Sequence, residues 1–144
     1  MKVKAMLSAK ESKIVTARPD ETVATAIDLL NRERIGALVV SDDGDRIQGI
    51  LSERDIVRAL LEHGGDLMEM PVSELMTRTV KTCTLDANIH DVMSEMTRSR
   101  IRHLPVLDGD KLCGMISIGD VVKNRLDELE TETTELREYI SGRS

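Results

Sequence analysis

One seven-residue pattern occurs twice in this chain and constrains its fold more than any other feature. Residues 49–55 (GILSERD) and 114–120 (GMISIGD) each contain a glycine, two apolar residues, a serine, two variable residues and an aspartate. Apolar residues at helical spacing follow each copy, which predicts a short buried strand that turns into a helix. The serine and the aspartate would lie in the first helical turn, where free backbone N–H groups favour a bound anion.

The two copies belong to a longer internal repeat with an offset of about 66 residues. Segments 14–16, 19–23 and 35–40 match segments 80–82, 85–89 and 101–106, and segment 3–7 resembles segment 72–76. Each copy has the pattern strand, helix, strand, strand, helix. Because a unit of about 60 residues buries too little surface to be secure alone, we expect two copies that pack sheet against sheet and share one core.

The predicted fold class is therefore α/β, with two pseudosymmetric β-α-β-β-α repeats and clefts between them. Repeat 1 is predicted at residues 1–68, repeat 2 at 69–125 and a helical tail at 126–144. In the first copy, strands are predicted at 14–16, 37–40 and 47–51, and helices at 20–34 and 56–61. Segment 66–71 would join the copies.

The tail departs from the repeat and carries a heptad pattern. Five apolar residues and one threonine recur at spacings of 4, 3, 4, 3 and 4 residues: Val122, Leu126, Leu129, Thr133, Leu136 and Ile140. The pattern fits a long helix packed on its own globule, and it equally fits a helix that pairs with a second subunit. Fewer than three heptads is short for an independent coiled coil.

Composition argues against several other classes of protein. The net charge of −6 and the single aromatic residue, Tyr139, disfavour nucleic-acid binding. No apolar run approaches the roughly 20 residues that span a bilayer, and residues 1–10 are too polar for a signal peptide. Cys83 and Cys113 form no C-x-x-C motif and are expected to be reduced thiols. We expect a cytoplasmic protein that binds neither membrane nor nucleic acid.

The sequence also disfavours catalysis and metal binding. Ser117 and Asp120 share one helical turn, and no histidine is positioned by spacing to work with them. Segment 114–119 is G-x-x-S-x-G, one residue too long for a nucleophile elbow. The cysteines, His90 and His103 lack metal-site spacing. We therefore predict no enzyme activity and no metal.

The chain resembles tandem cystathionine-β-synthase (CBS) domains of the small stand-alone bacterial type, over about residues 1–125. The paired Gly-x-h-[Ser/Thr]-x-x-Asp segments, where h is apolar, and the Arg-His-Leu-Pro-Val run at 102–106 carry the resemblance. It implies binding of adenosine compounds such as AMP, ADP, ATP, NAD(H) or S-adenosylmethionine, and assembly into a homodimer. An unidentified protein would be the regulated partner.

The resemblance also implies roles for particular residues. Asp55 and Asp120 would accept hydrogen bonds from ribose hydroxyls, and the motif serines would face phosphate. Apolar walls would hold the adenine. The full set of candidate ligand-binding residues is Ile14, Thr16, Ala37, Ser52, Arg54, Asp55, Met76, Thr77, Val80, Arg102, His103, Pro105, Ser117, Gly119 and Asp120.

The two clefts are predicted to be unequal. Gly36 and Ala37 stand in the first copy where the second has Arg102 and His103, residues that contact phosphate in the family. Arg54 precedes the first motif aspartate, whereas a glycine precedes the second. Different ligands in the two clefts, for example a mononucleotide and a dinucleotide, would follow.

Two alternatives remain open at the level of sequence. The serine and aspartate of each motif also fit a helix capping box, although that box usually has Glu or Gln in place of the aspartate. The predicted function is a regulatory sensor that binds adenosine nucleotides. The alternative is a structural interaction or dimerisation protein whose nucleotide sites are vestigial.

Overall fold

The computed structural model describes residues 1–10 and 14–142, and its α/β architecture is the one predicted. In chain order the elements are α1 (Val3–Lys10), β1 (Thr16–Ala17), α2 (Val23–Glu33), β2 (Ala37–Val40), β3 (Gly49–Ser52), α3 (Glu53–His63), β4 (Cys83–Thr84), α4 (Ile89–Ser99), β5 (His103–Asp108), β6 (Lys111–Ser117) and α5 (Ile118–Ile140). Two short 3₁₀ helices, Gly64–Glu69 and Val72–Glu74, connect the repeats.

Each repeat forms its own three-stranded sheet with the same topology. The strand orders are β1-β2-β3 and β4-β5-β6, with the first pair parallel and the second antiparallel in each sheet. Ala37 pairs with Ser52 in the first sheet, and His103 pairs with Ser117 in the second. The sheets therefore set the residue at the start of the middle strand beside the motif serine.

Several predicted boundaries move by a few residues, for local reasons. Helix α3 begins at Glu53 rather than at residue 56, because the side chain of Ser52 accepts a hydrogen bond from the N–H group of Asp55 and caps the helix there. Thr22 caps α2 in the same way, so this helix begins after the predicted residue 20. Strand β1 is Thr16–Ala17 instead of 14–16, and β3 is Gly49–Ser52 instead of 47–51.

The segment that leads into each repeat packs on the other repeat. Helix α1 contributes Val3 and Met6 to the core of the second repeat, and Val3 N–H donates to the carbonyl of Ala87 at 2.9 Å. Conversely, Val72 and Met76 lie in the core of the first repeat. The buried residues form separate clusters in the two halves rather than the single shared core that was expected. The segment around Val3 and Met6 and the segment around Val72 and Met76 are thus exchanged between the repeats, and these exchanged segments hold the two halves together.

The first glycine of each motif makes room for the exchanged segment. A Cβ atom at Gly49 would lie 2.6 Å from Sδ of Met76, and one at Gly114 would lie 2.8 Å from a Cδ atom of Leu7. Met76 and Leu7 occupy matching positions in the two copies. Glycine opens the motif because a side chain of the opposite leading segment rests on its backbone.

Helix α5 leaves the globule soon after it begins. Val121 is buried, but the later apolar positions are exposed: Leu126 is 56% exposed, Leu129 41% and Leu136 59%. Of the two alternatives left open by the heptad pattern, packing along its own globule therefore holds only for the first turns of this helix. Helix α3 also exposes apolar side chains, with Leu61 at 89%. In the described residues, no helix combines the length and the apolar character needed to cross a membrane.

Candidate functional site

The motif serine and aspartate form a complete capping box in both repeats. Asp55 Oδ2 accepts from the N–H group of Ser52 at 2.9 Å and from its hydroxyl at 3.0 Å, while the Ser52 hydroxyl accepts from the N–H group of Asp55. Asp120 Oδ2 accepts from the N–H group of Ser117 at 2.9 Å. The expectation that aspartate disfavours this box is wrong, because both copies complete it. The hydrogen bonds between described residues leave Oδ1 of either aspartate unused.

A cleft of about 370 Å³ adjoins the first box, and we call it the Asp55 cleft. It brings together residues from both repeats, because the start of β5 and the end of α4 face the start of α3. The predicted site residues that line it are Ala37, Ser52, Arg54, Asp55, Thr77, Val80, Arg102 and His103.

A second cleft, of about 450 Å³, adjoins the other box, and we call it the Asp120 cleft. The start of α5 and the turn into β2 form its walls. The predicted site residues that line it are Ile14, Ala37, Arg102, His103, Ser117, Gly119 and Asp120.

The two clefts meet at the positions where the repeats differ in sequence. Gly36, Ala37, Arg102 and His103 line both clefts. A Cβ atom at Gly36 would lie 3.1 Å from Cε1 of His103, closer than nearly all real Cβ contacts. The imidazole of His103 therefore occupies the space that a side chain at position 36 would need. This contact explains why the first repeat has a glycine where the second has Arg102.

Three predicted residues line neither cleft. Thr16 pairs with Val39 in the first sheet, Met76 is buried against Gly49, and Pro105 is buried in β5 opposite Met115. In this structure Thr16 and Pro105 belong to the sheets and Met76 belongs to the core. Ile50, which the sequence analysis did not single out, lines the Asp55 cleft beside Thr77, to which its backbone is hydrogen-bonded.

The sequence analysis also missed most of the cations around the clefts. Arg58, Lys81 and Arg100 line the Asp55 cleft, and Lys10 and Arg34 line the Asp120 cleft. Arg34 and Arg100 occupy the same position in the two copies, directly after α2 and α4. Each has a φ of 55°, in the left-handed region where glycine or asparagine is usual. The repeat offset matches these two arginines, so the sequence held a signal for them.

The environment of the clefts shifts two pKa values. Burial lowers the pKa of His103 below its ordinary value, and the nearby Lys10 and Arg102 lower it further, against the opposing charges of Glu53 and Asp120. Burial alone would raise the pKa of Asp120, but hydrogen bonds from Lys10 and Ser117, together with the charge of Lys10, outweigh this and leave it below the ordinary value. At neutral pH these groups are a neutral imidazole and a carboxylate.

The sequence also contains residue types that can bind a metal ion or act as nucleophiles. Within residues 1–10 and 14–142, no three His, Cys, Asp or Glu side chains cluster in a way that would hold a metal ion. Cys83 and Cys113 are free thiols. Burial and the neighbouring Cys113 raise the pKa of Cys83 to about 11, which makes it a poor nucleophile.

Comparison with known proteins gives consistent matches. Residues 7–62 and 72–127 each match the family described as CBS domain. A CBS domain-containing protein CBSX3, mitochondrial, of Arabidopsis thaliana is 36% identical over 127 residues, which cover 85% of this chain and 62% of the plant protein. The chain thus spans less than two thirds of the length of that relative.

Solved structures share the fold. A CBS-domain containing protein from Agrobacterium tumefaciens has a TM-score of 0.83 and 40% identity, covering 87% of this chain and 99% of the other. A CBS domain pair in complex with 5′-methylthioadenosine and S-adenosyl-L-methionine has a TM-score of 0.79 over 89% of this chain and 98% of its own. At 24% identity, this second likeness concerns the fold alone.

Proposed function

Since the chain belongs to the CBS-domain family, we propose that it is a regulatory module that binds phosphorylated adenosine nucleotides in the two clefts between its repeats. CBS pairs commonly bind adenosine ligands, and a structural relative was crystallised with two of them. Binding would alter the conformation of a homodimer or of a partner contact. A ligand can do so only by its difference in affinity for the two conformations.

The concentration of arginine around the Asp55 cleft carries this proposal. Its lining has five Lys or Arg residues, at positions 54, 58, 81, 100 and 102, against two carboxylates, Glu53 and Asp55. The chain as a whole has a net charge of −6. Lys81 is held by Glu95 at 3.2 Å, but the four arginines have no ion pair within the described residues. Unpaired guanidinium groups in a concave site favour phosphate.

The carboxylate in the same cleft suits the sugar of a nucleotide. Asp55 Oδ2 is occupied by the capping bonds, and Oδ1 remains for a ribose hydroxyl. Ile50 and Val80 offer an apolar wall for a flat base. Because cations outnumber carboxylates in the lining, we expect AMP, ADP, ATP or NAD(H) to bind better than S-adenosylmethionine, which carries positive charge on its sulfonium and amino groups.

A ligand screen with matched variants tests the proposal. Thermal unfolding of ligand-free protein is recorded with AMP, ADP, ATP, NAD, NADH and S-adenosylmethionine, and hits are titrated by calorimetry. A ligand at 100 times its Kd stabilises the fold by about 2.7 kcal/mol. Asp55→Asn keeps an oxygen acceptor for the cap but loses the charge, so affinity should fall about tenfold or more with little loss of stability.

Thr22→Ala is the control for that variant. The side chain of Thr22 caps α2 by accepting from the N–H group of Thr25, and it lines neither cleft, so its loss should cost about 0.5–2 kcal/mol of stability and leave nucleotide affinity unchanged. If no nucleotide raises the unfolding temperature, or if Asp55→Asn binds as well as the wild type, nucleotide sensing through this cleft is excluded.

The exposed apolar faces of α3 and α5 favour a second candidate, an interaction protein with vestigial clefts. Leu61 on α3 and Tyr139 on α5 are 89% and 75% exposed, and a chain working through such faces needs no ligand. The same screen separates the candidates, because an interaction protein gives no thermal response to any nucleotide.

A further inference from the structure

Lys10 reaches from the end of α1 into the Asp120 cleft. Its Nζ lies 2.7 Å from Oδ2 of Asp120 and donates a second hydrogen bond to the carbonyl of Met115 at 2.9 Å. The two paired side chains are only 25% and 22% exposed, so water screens the pair weakly. A residue 110 positions away in the chain thus holds the carboxylate of this cleft.

Among residues 1–10 and 14–142, no cation pairs with the carboxylate of the Asp55 cleft. In the described part of the chain, Asp55 accepts hydrogen bonds only from Ser52, whereas Asp120 accepts from both Ser117 and Lys10. The capping boxes are otherwise alike. The lysine therefore makes two nearly identical carboxylates chemically different.

We propose that Lys10 is a specificity-determining residue that competes with the ligand's ribose hydroxyls for the negative charge of Asp120, so that the Asp120 cleft disfavours uncharged nucleosides. This inference rests on the proposed function of the clefts. The ammonium shares Oδ2 with the capping bond, and Oδ1 stays open to a ribose hydroxyl. A carboxylate whose charge is neutralised by an ion pair accepts a hydrogen bond less strongly, so a neutral nucleoside gains less from Asp120 than from an unpaired aspartate. A nucleotide also brings a phosphate, with which the ammonium of Lys10 can pair. The Asp55 cleft imposes no such requirement on adenosine.

Site-resolved NMR titration with adenosine tests the competition. The amide of Gly119 lines the Asp120 cleft alone, and that of Thr79 lines the Asp55 cleft alone. In Lys10→Met, adenosine affinity reported by Gly119 should rise about tenfold, which corresponds to ~1.4 kcal/mol. Affinity reported by Thr79 should stay constant. AMP affinity at Gly119 should rise less than that of adenosine, because the phosphate loses a partner.

Two controls isolate the competition from a general change in the cleft. Lys10→Arg keeps the positive charge, so the adenosine affinity reported by Gly119 should stay as low as in the wild type. The probe 2′,3′-dideoxyadenosine lacks the hydroxyls that compete with the ammonium, so its affinity should be the same in the wild type and in Lys10→Met. The dispersion of amide signals reports whether each variant is folded.

The outcomes separate this inference from the proposal on which it rests. If adenosine and AMP shift neither reporter in any variant, the proposed function fails and this inference fails with it. If nucleotides shift the reporters but Lys10→Met leaves adenosine affinity at Gly119 unchanged or lower, Lys10 is no competitor and this inference alone is overturned. If Lys10→Met raises the affinity for 2′,3′-dideoxyadenosine as much as it raises the affinity for adenosine, this inference is also overturned.

Discussion

At the residue scale, single side chains serve folding and the clefts at once. Asp55 completes a helix cap through one carboxylate oxygen, and the other oxygen, which faces the proposed ligand site, accepts no hydrogen bond from the described residues. His103 lies at the junction of both clefts, against the backbone of Gly36. Because such residues have a structural role without ligand, a substitution must preserve the cap or the packing before its effect on binding can be interpreted.

His103 gives the ligand-free protein a predictable pH dependence. Its folded pKa is below the ordinary value of about 6.5, so the unfolded chain binds more protons between the two values. Stability should therefore fall as the pH drops below about 6.5 and level off below the folded pKa. Urea unfolding of the wild type and of His103→Gln at several pH values between 7.5 and 4.5 measures this.

The variant should lose that part of the pH dependence, because glutamine does not titrate. Asp120, whose pKa is also lowered, contributes stability that is lost only in more acidic solution, as the pH falls through its folded pKa. If the free energy of unfolding of His103→Gln depends on pH above 4.5 as steeply as that of the wild type, His103 is not the group responsible.

At the element scale, the leading segments and the motif glycines fit each other as pairs. The side chain of Met76 packs against Gly49, and the side chain of Leu7 packs against Gly114. The pairs differ in one respect: a Cβ atom at Gly49 would also lie 3.0 Å from the backbone carbonyl oxygen of Thr77, whereas the contacts at Gly114 are with the end of a leucine side chain. A backbone atom can move away from an added Cβ atom less easily than the end of a side chain can.

Alanine at either glycine should therefore destabilise the fold, unequally. Overpacking of this kind costs about 1–3 kcal/mol, and we expect Gly49→Ala to lose more than Gly114→Ala, as measured by urea unfolding. Leu7→Ala in the Gly114→Ala background removes the clashing atoms. The double variant should therefore lose less free energy of unfolding than the two single variants lose together. Additive losses would mean that Leu7 and Gly114 do not interact.

The sequence predicted the elements better than it predicted the contacts between them. Periodicity and the duplicated motif were enough for the β-α-β-β-α order and for strand β2, because those signals are local. Lys10 was missed since its partner is far away in the chain, and nothing in local spacing links it to Asp120. Arg34 and Arg100 were missed because arginine is usually a solvated surface residue, although the repeat aligns them.

At the scale of the whole molecule, the exposed leucines of α5 point to a second copy of the chain. Leu126, Leu129 and Leu136 follow the heptad spacing on one face of a 23-residue helix, and each is more than 40% exposed. Sequence alone predicts a homodimer through its resemblance to CBS pairs, and this uncovered face is where we expect the subunits to meet.

Charge on that face should separate the subunits without unfolding them. For the wild type we expect twice the chain mass of 16.0 kDa in light scattering after size exclusion. The double variant Leu126→Glu/Leu129→Glu should be a monomer with an unchanged circular dichroism spectrum, because both side chains are exposed in the single chain. Glu132→Gln, away from the apolar positions, is the control. A monomeric wild type, or a dimeric double variant, would contradict the prediction.

The exchange of leading segments has a consequence for synthesis on the ribosome. Helix α1 is translated before the second repeat, yet it packs against residues around Ala87 and Gly114 of that repeat. In a nascent chain that has emerged only as far as α3, the apolar side chains of α1 have no core to pack against and stay exposed to chaperones and proteases. The first repeat likewise lacks Val72 and Met76 until translation has passed them. The protein should therefore reach its folded state late and in one step, and cutting the chain between the repeats should yield two incomplete fragments.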